Sequence, residues 1–579
     1  MRSFTNRYMP IIYLLALFAG TLFFIPAIFV DRFTTAPSVW MQVWIGVGIL
    51  GYFILKKGRI PFPPRSFIML ITTWAIYHIG KNHGNIENIV AIITLTGAFF
   101  LFYAIDPLLN DKKLLFVLFS CLVLLLSLWG LEQLTGIARS YNGSFAITGP
   151  FDNPAGISAS LVVLLPFLLY GCGYLKKKYR LFAIVATCLV TTVIVMSKAR
   201  TAILATVIIL IFFLVRLLKE RNIKLSPIYY VAMSAGCLLF FTGLFFMKKD
   251  SANGRLLIWQ CSGQLISRNP VLGYGGSGFT ANYMDEQASY FIKHPNSKYV
   301  MLADNIRHPF NEFLKWTVNY GIVGLCLTLL LIVVPLRASW KNNSPELFFI
   351  RLSLLSMGIC ALFSYPLNYP FIRVMAVAFL AFALATNSQQ STTLRNGYLP
   401  KGIAILFSLG LLSVTSYQGF YEREWHRTAH KSLRGQTVQM LARYRNLHTH
   451  LRYKDLFLYN YAAELNVAGD YERSLQIARE CEKLWADYDL QMLMAENCLQ
   501  LQQYNDTENY LKKEAVMCPV KFMPLYRLTE LYLETGQKEE ARVLARKIVN
   551  KPVKVPSPAI NGMKIKMRNL LNDADNSND

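Results

Sequence analysis

Acid is scarce in this chain. Its 579 residues include 34 Asp and Glu against 59 Lys and Arg, and charged side chains make up only 16% while 54% are hydrophobic. So little charge excludes a string of soluble domains of ~100 to 200 residues each and leaves a chain that crosses a membrane many times. The net charge of +25 would suggest nucleic acid in a soluble protein. No nucleic-acid motif accompanies it, and the cations lie between apolar runs, where membrane topology puts them; no nucleic-acid partner is expected. Cys-x-x-Cys pairs are missing as well. Six of the ten cysteines (Cys121, Cys172, Cys188, Cys237, Cys326 and Cys360) fall inside hydrophobic runs with no His at metal spacing, which makes them small core residues rather than metal ligands. Cys261, Cys481, Cys498 and Cys518 lie outside the runs, where an oxidising compartment would permit a disulfide. Arg2 and Arg7 precede the first run, but no small-residue cleavage site follows it, so it reads as a retained helix.

What is present is apolar sequence in lengths near the ~20 residues that cross a ~30 Å hydrocarbon core. Thirteen such runs occur, at 9–30, 38–55, 66–80, 88–105, 113–131, 154–174, 180–197, 200–218, 227–247, 313–336, 347–363, 370–386 and 400–418. With the N-terminus in the cytoplasm, 21 Lys and Arg fall on that side and only six (Arg32, Lys81, Arg139, Lys198, Arg200 and Arg373) in the short opposite loops and helix ends. That asymmetry fixes the orientation. The longest polar interval, 248–312, then faces away from the cytoplasm, and the odd number of spans carries the C-terminal segment to the same side.

Beyond residue 420 the apolar spacing shortens to threes and fours. Gly469-Asp470-Tyr471, Gln502-Gln503-Tyr504 and Gly536-Gln537-Lys538 recur at offsets of 33 and 34, a period that resembles tetratricopeptide helix pairs. The expected architecture is an all-α polytopic membrane domain over 1–418, with about twelve to thirteen helices and a large loop at 248–312. A helical-repeat domain follows over 420–571, suited to a protein partner or to bracing the membrane domain, and then a disordered tail over 572–579.

Several stretches carry chemistry. Lys198 and Arg200, in Ser197-Lys198-Ala199-Arg200-Thr201-Ala202, place two cations at the outer end of a membrane hairpin, a costly position unless they snorkel to headgroups or bind an anion. Arg255 and Trp259 share a helix face, a planar donor fork beside an indole. His308, just before a membrane helix, has an imidazole able to accept a proton near neutral pH, with His294 as an alternative in the same loop. Asp285, Glu286, Asp304 and Glu312 lie there too, but no spacing singles out a catalytic pair. The glycines between Asn269 and Phe279 lack the strand and βαβ context of a dinucleotide site. Asp487-Tyr488-Asp489 imitates a metal motif inside the repeats. Gly149 to Gly156 is an outer turn entering a span, and Asp152 is placed to touch sugar. With that imitation set aside, every candidate motif precedes residue 385, so the repeats are expected to lie outside the catalytic centre.

The order Gly254-Arg255, Trp259, Asn269-Pro270-Val271-Leu272-Gly273-Tyr274-Gly275-Gly276-Ser277-Gly278-Phe279, His308-Pro309-Phe310-Asn311-Glu312 and Tyr320-Gly321-Ile322-Val323-Gly324-Leu325 resembles the O-antigen ligase and polymerase superfamily. The resemblance implies a GT-C-like enzyme of the bacterial inner membrane with its active site on the periplasmic face. It implies glycan transfer from a polyprenyl pyrophosphate to an acceptor hydroxyl, inverting and free of metal or cofactor. Arg200 and Arg255 would hold the pyrophosphate, with Lys198 and Arg373 as further contacts. His308 would be the base, and Trp259, Asn311 and Glu312 would support it. The glycine-rich stretch would be a structural turn returning the loop to the membrane. Lipid A core, a growing polysaccharide and a protein Ser or Thr all fit as acceptor. A lipid-linked glycan flippase is the rival from another class, and it needs polar residues along a transmembrane path.

Overall fold

The computed structural model describes residues 2–109, 112–223, 226–229, 231, 233–236, 242–243, 249–386 and 392–575. In chain order the elements are α1 (Arg2–Phe23), α2 (Thr35–Leu55), β1 (Arg59–Phe62), α3 (Arg65–Lys81), α4 (Ile86–Ile105), α5 (Lys112–Leu134), α6 (Pro154–Tyr174), α7 (Lys177–Met196) and α8 (Arg200–Glu220). Then come α9 (Lys249–Arg268), α10 (Gly278–Lys293), α11 (Glu312–Trp340), α12 (Pro345–Phe363), α13 (Pro370–Ala385), β2 (Thr392–Arg395), α14 (Tyr398–Lys431) and α15 (Thr437–Leu451). The repeats supply α16 (Asp455–Val467), α17 (Tyr471–Glu482), α18 (Tyr488–Gln500), α19 (Tyr504–Met517), α20 (Met523–Glu534), α21 (Lys538–Asn550) and α22 (Pro558–Asp575).

The chain forms two compact units, one of Met1–Met247, Phe310–Trp316 and Ile322–Arg423, the other of Lys248–Pro309, Thr317–Gly321 and Glu424–Asp579. The long loop is thus grouped with the repeats rather than with the spans that flank it.

The first unit is the membrane bundle of a multi-pass protein. Among the described residues nine helices are long and apolar enough to cross a membrane, with Tyr8–Phe23 and Pro370–Ala385 shorter, and α3 has 17 residues. These twelve coincide with twelve of the expected runs; about half of the other, 227–247, lies outside the described residues. At the centre stands α6, where every residue from Gly156 to Gly171 is buried. A helix apolar on all faces has no side to give to solvent, and α5, α7, α8, α12 and α13 surround this one. Asn153 caps it through Ala155 N at 2.8 Å and Pro154 occupies the first turn, where a missing N–H costs nothing.

Loops that the charge pattern assigns to one side meet each other. On the cation-rich side β1 pairs antiparallel with β2, Arg59 opposite Arg395, and Arg216 Nη1 donates to Asn343 Oδ1 at 2.9 Å. On the other side Tyr369 Oη donates to Asp152 Oδ1 at 3.2 Å, and the Arg32 guanidinium lies 4.4 Å from the centroid of the Tyr141 ring. The β1–β2 ribbon is absent from the sequence reading, because four residues in each loop carry too little alternation to announce a strand.

In the second unit, α16–α17, α18–α19 and α20–α21 form three helical hairpins closed by α22. That last helix runs to Asp575, into the stretch expected to be a disordered tail, because Met563, Leu570 and Leu571 pack near Phe522 and Ile548; residues 576–579 lie outside the description. The loop segment is itself helical, and α10 packs along α19. Lys513 joins them, reaching Asp285 at 3.0 Å and Glu482 at 2.9 Å. Gln287 Nε2 donates to Met517 O at 2.7 Å, and Thr280 Oγ1 to Leu484 O at 2.9 Å. Cys261, Cys481, Cys498 and Cys518 are all buried free thiols, placed as core residues.

Candidate functional site

Ser197, Lys198 and Ala199 form the turn between α7 and α8. The Ser158 and Ser197 hydroxyls, 2.7 Å apart, tie this turn to the central helix. Lys198 adopts φ +57, a left-handed conformation that costs an L-residue roughly 1 to 2 kcal/mol. Arg200 is the first residue of α8. A cation there faces the positive end of the helix dipole, so this turn places two cations where the local field already favours an anion.

Elsewhere in the first unit, Phe310 has φ +53, unusual for a bulky side chain, and packs edge-on against Tyr365 at 5.4 Å. Asn311 then caps α11 by accepting from Leu314 N at 3.0 Å. Glu312 is 2% exposed and accepts from Leu367 N at 3.0 Å. Arg373, in the first turn of α13, donates to Asn368 O at 3.3 Å and feels the carboxylates of Glu87 and Glu312.

The second unit brings Arg255, Trp259 and the His308 segment together. Arg255 and Trp259 lie one turn apart on α9, and Trp259 Nε1 donates to Pro309 O at 3.0 Å. An indole on the Arg255 face therefore holds the backbone next to His308. The imidazole is half-buried, with Nδ1 shielded from solvent. On the other flank Arg307 Nη2 meets Asp455 Oδ2 at 2.6 Å, and its guanidinium covers the Trp485 ring at 4.6 Å. Sequence reasoning missed Arg307, since its carboxylate partner Asp455 lies 148 residues further on, among the repeats. His294 is exposed at the end of α10.

The remaining candidates are occupied structurally. The stretch Asn269 to Phe279 directs N–H groups to the chain itself: Tyr274 N donates to Val318 O at 2.9 Å and Gly275 N to Asn319 O at 2.7 Å. Asn319 Oδ1 takes Phe279 N at 2.9 Å and its amide returns to Gly276 O at 2.6 Å. Asp285 is engaged by Lys513, Glu286 by Arg268 at 2.6 Å, and Asp304 by Asn305 N at 2.9 Å. Asp487 caps α18 through Asp489 N at 2.8 Å and accepts from Asn305 Nδ2 at 2.8 Å, which is helix-capping and not metal chemistry.

Residues 184–329 match the family model described as O-antigen ligase. A Rickettsia felis protein named "Putative polysaccharide ligase" is 31% identical over 138 residues, 22% of this chain and 32% of that relative. A Rickettsia conorii protein of the same description is 26% identical over 311 residues, 51% of this chain and 72% of the relative. The chain thus spans about a third of the first relative's length and nearly three quarters of the second's. Among solved structures, the crystal structure of the APC/C hetero-tetramer Cut9-Hcn1 covers 83% of this chain and 76% of its own at 8% identity, with a TM-score of 0.23, a value too low to inform the fold.

Proposed function

We propose, because residues 184–329 match the family model described as O-antigen ligase, that this multi-pass membrane protein transfers a glycan from a polyprenyl (undecaprenyl) pyrophosphate to an acceptor hydroxyl, with inversion and without metal. The acceptor oxygen attacks the anomeric carbon, the bond from that carbon to the pyrophosphate oxygen breaks, and the pyrophosphate leaves on its lipid. Charge develops on the departing oxygens. Arg200, Arg255, Lys198 and Arg373 are assigned to it, because a guanidinium presents paired donors to phosphate oxygens. The acceptor proton passes to His308.

The observation that carries this reading is the bond from Trp259 to Pro309 O, which sets the imidazole segment beside the helix bearing Arg255. The strained backbone at Lys198 and at Phe310 supports it, since such strain collects at functional positions. The site is assigned to the periplasmic side of a bacterial inner membrane, where a lipid-linked donor and a lipid A core, polysaccharide or protein acceptor would meet. The repeats favour a macromolecular acceptor, a growing polysaccharide or a protein.

The test is purified protein in a lipid bilayer, given a polyprenyl-pyrophosphate glycan and each acceptor class separately. Glycan should move to one class, with release of polyprenyl pyrophosphate, and His308→Ala should depress turnover while donor binding persists. No transfer to any acceptor, or undiminished turnover by His308→Ala, overturns the assignment.

A further inference from the structure

The segment that carries His308 is held from both flanks, and one of the holders is the repeat domain. Before the histidine, Gln287 Nε2 binds both Asp304 O at 3.0 Å and Met517 O at 2.7 Å. Asn305 Nδ2 reaches Asp487 Oδ2 at 2.8 Å. Arg307 Nη2 meets Asp455 Oδ2 at 2.6 Å while its guanidinium lies over Trp485 at 4.6 Å. Residues 304–307 are thus pinned to α16, to α19 and to the turn before α18. After the histidine, Trp259 holds Pro309 O.

We infer that the repeat domain sets the position of His308, with Asp455 and Trp485 acting as positioning residues through Arg307. This rests on the reading of His308 as the base given above. The Arg307 and Asp455 side chains are 34% and 18% exposed, and ion pairs of that kind add little to stability. Their geometric consequence is larger. The guanidinium is planar and is gripped at its edge by a carboxylate and at its face by an indole, so the backbone one residue before the imidazole has little freedom. The Asp455 carbonyl also accepts from Cys481 Sγ at 3.3 Å, which fixes the start of α16 against α17. Misplacing a catalytic group by about 1 Å costs on the order of 100-fold in rate, so loosening this grip should act on turnover and not on donor affinity. On this reading the repeats supply positioning residues, while every residue assigned to the reaction itself still precedes residue 385.

The experiment approaches the pair from both sides in the full chain. Asp455→Asn and Arg307→Gln should each lower kcat ~10- to 100-fold with the donor KM within about twofold, and the double variant should lose no more than either single one. Asp455→Glu should recover most of the loss. Hydrogen exchange should quicken in residues 300–310 while the hairpins α18–α19 and α20–α21 keep their protection. Wild-type kcat in both single variants, losses that multiply in the double variant, or unchanged exchange in 300–310 overturns the inference. Exchange also separates this idea from the reaction it rests on: if no acceptor is ever glycosylated the transfer reading fails, yet faster exchange confined to 300–310 still establishes the positioning contact.

Discussion

The carbonyl oxygen of Val271 stands 2.0 Å from where a Cβ on Gly321 would be, and Gly321 N stands 2.5 Å from where one on Gly273 would be. The glycine-rich stretch and the kinked start of α11 therefore touch backbone to backbone. Gly321 has φ +64 and ψ −173, a region that only glycine enters readily. Gly321→Ala should cost roughly 3 kcal/mol or more, because clash and strain add. Thermal unfolding in detergent should show the loss. Gly263 is the control: it lies inside α9 with nothing within 4 Å of where a Cβ would be, so Gly263→Ala should be neutral or stabilising by up to ~1 kcal/mol.

The three repeat turns make a second comparison possible. Gly469 and Gly536 take φ +81 and +80, and Gln502, at the matching place, takes φ +58. All three turns close with the same pair of bonds, Gln502 N to Leu499 O at 2.9 Å and Gln503 N to Cys498 O at 2.8 Å in the second. The geometry is thus kept while the residue pays the steric cost of a Cβ. Gln502→Gly should raise stability by about 0.5 to 1 kcal/mol after the extra chain entropy of glycine is subtracted. A lower unfolding midpoint in urea would show that the glutamine side chain is held by something stronger than that strain.

The spans and the repeat hairpins were legible because both depend on local apolar period, which neighbouring residues carry by themselves. The Arg255 and Trp259 face was legible for the same reason, since four residues make one helical turn. Three things were not. Arg307 looks like any loop cation until Asp455 and Trp485 are folded against it. Phe310 gives no sign of φ +53, because nothing but the packed structure holds a phenylalanine there. The grouping of 248–309 with the repeats depends on pairs such as Asn305 with Asp487, which no periodicity encodes.

Glu514 gives the repeats a pH dependence. Its side chain is fully buried, and burial pushes the carboxyl up to about 8, with Asp489 adding to the rise while Tyr488 and Arg527 oppose it. In the unfolded chain the carboxyl returns to ~4.3. Between those values the folded state holds a proton that the unfolded state has lost, so stability falls as pH rises from about 4 to 8. Glu514→Gln removes the charge at every pH. It should raise the unfolding midpoint at pH 8, by roughly 1 to 3 kcal/mol, and change little at pH 4.5. Equal effects at both pH values would mean that the amide alters packing and not ionisation.

The charge asymmetry and the contacts of the second unit make one topological prediction. Asn305 with Asp487 and Arg307 with Asp455 require the long loop and the repeats to share a side of the membrane. Reporter fusions at Asn296 and Asp470 should agree with each other, and both should report the periplasm, whereas a fusion at Lys57 should report the cytoplasm. An Asp470 fusion reading cytoplasm would contradict the fold of the second unit as well as the orientation.

The roles assigned to the cations and to the imidazole predict defects of different kinds. Arg200→Ala or Arg255→Ala should weaken both donor binding and transfer, since a guanidinium holds pyrophosphate before and during departure. Arg→Lys at either position should restore only part, because an ammonium keeps the charge and loses the fork. Each Arg→Ala loss is expected at ~2 to 4 kcal/mol, or about 30- to 1000-fold in rate. His308→Ala should instead spare donor binding and depress turnover. A base works only when neutral, so wild-type activity should fall at acid pH as the base is protonated, and the residual activity of His308→Ala should lack that limb. A limb that survives in His308→Ala would transfer the role to another group, with His294 the first to replace. Normal donor binding and normal transfer by all three alanine variants would leave the cation turn at 197–200 with headgroup snorkelling as its role and would remove the transferase mechanism altogether.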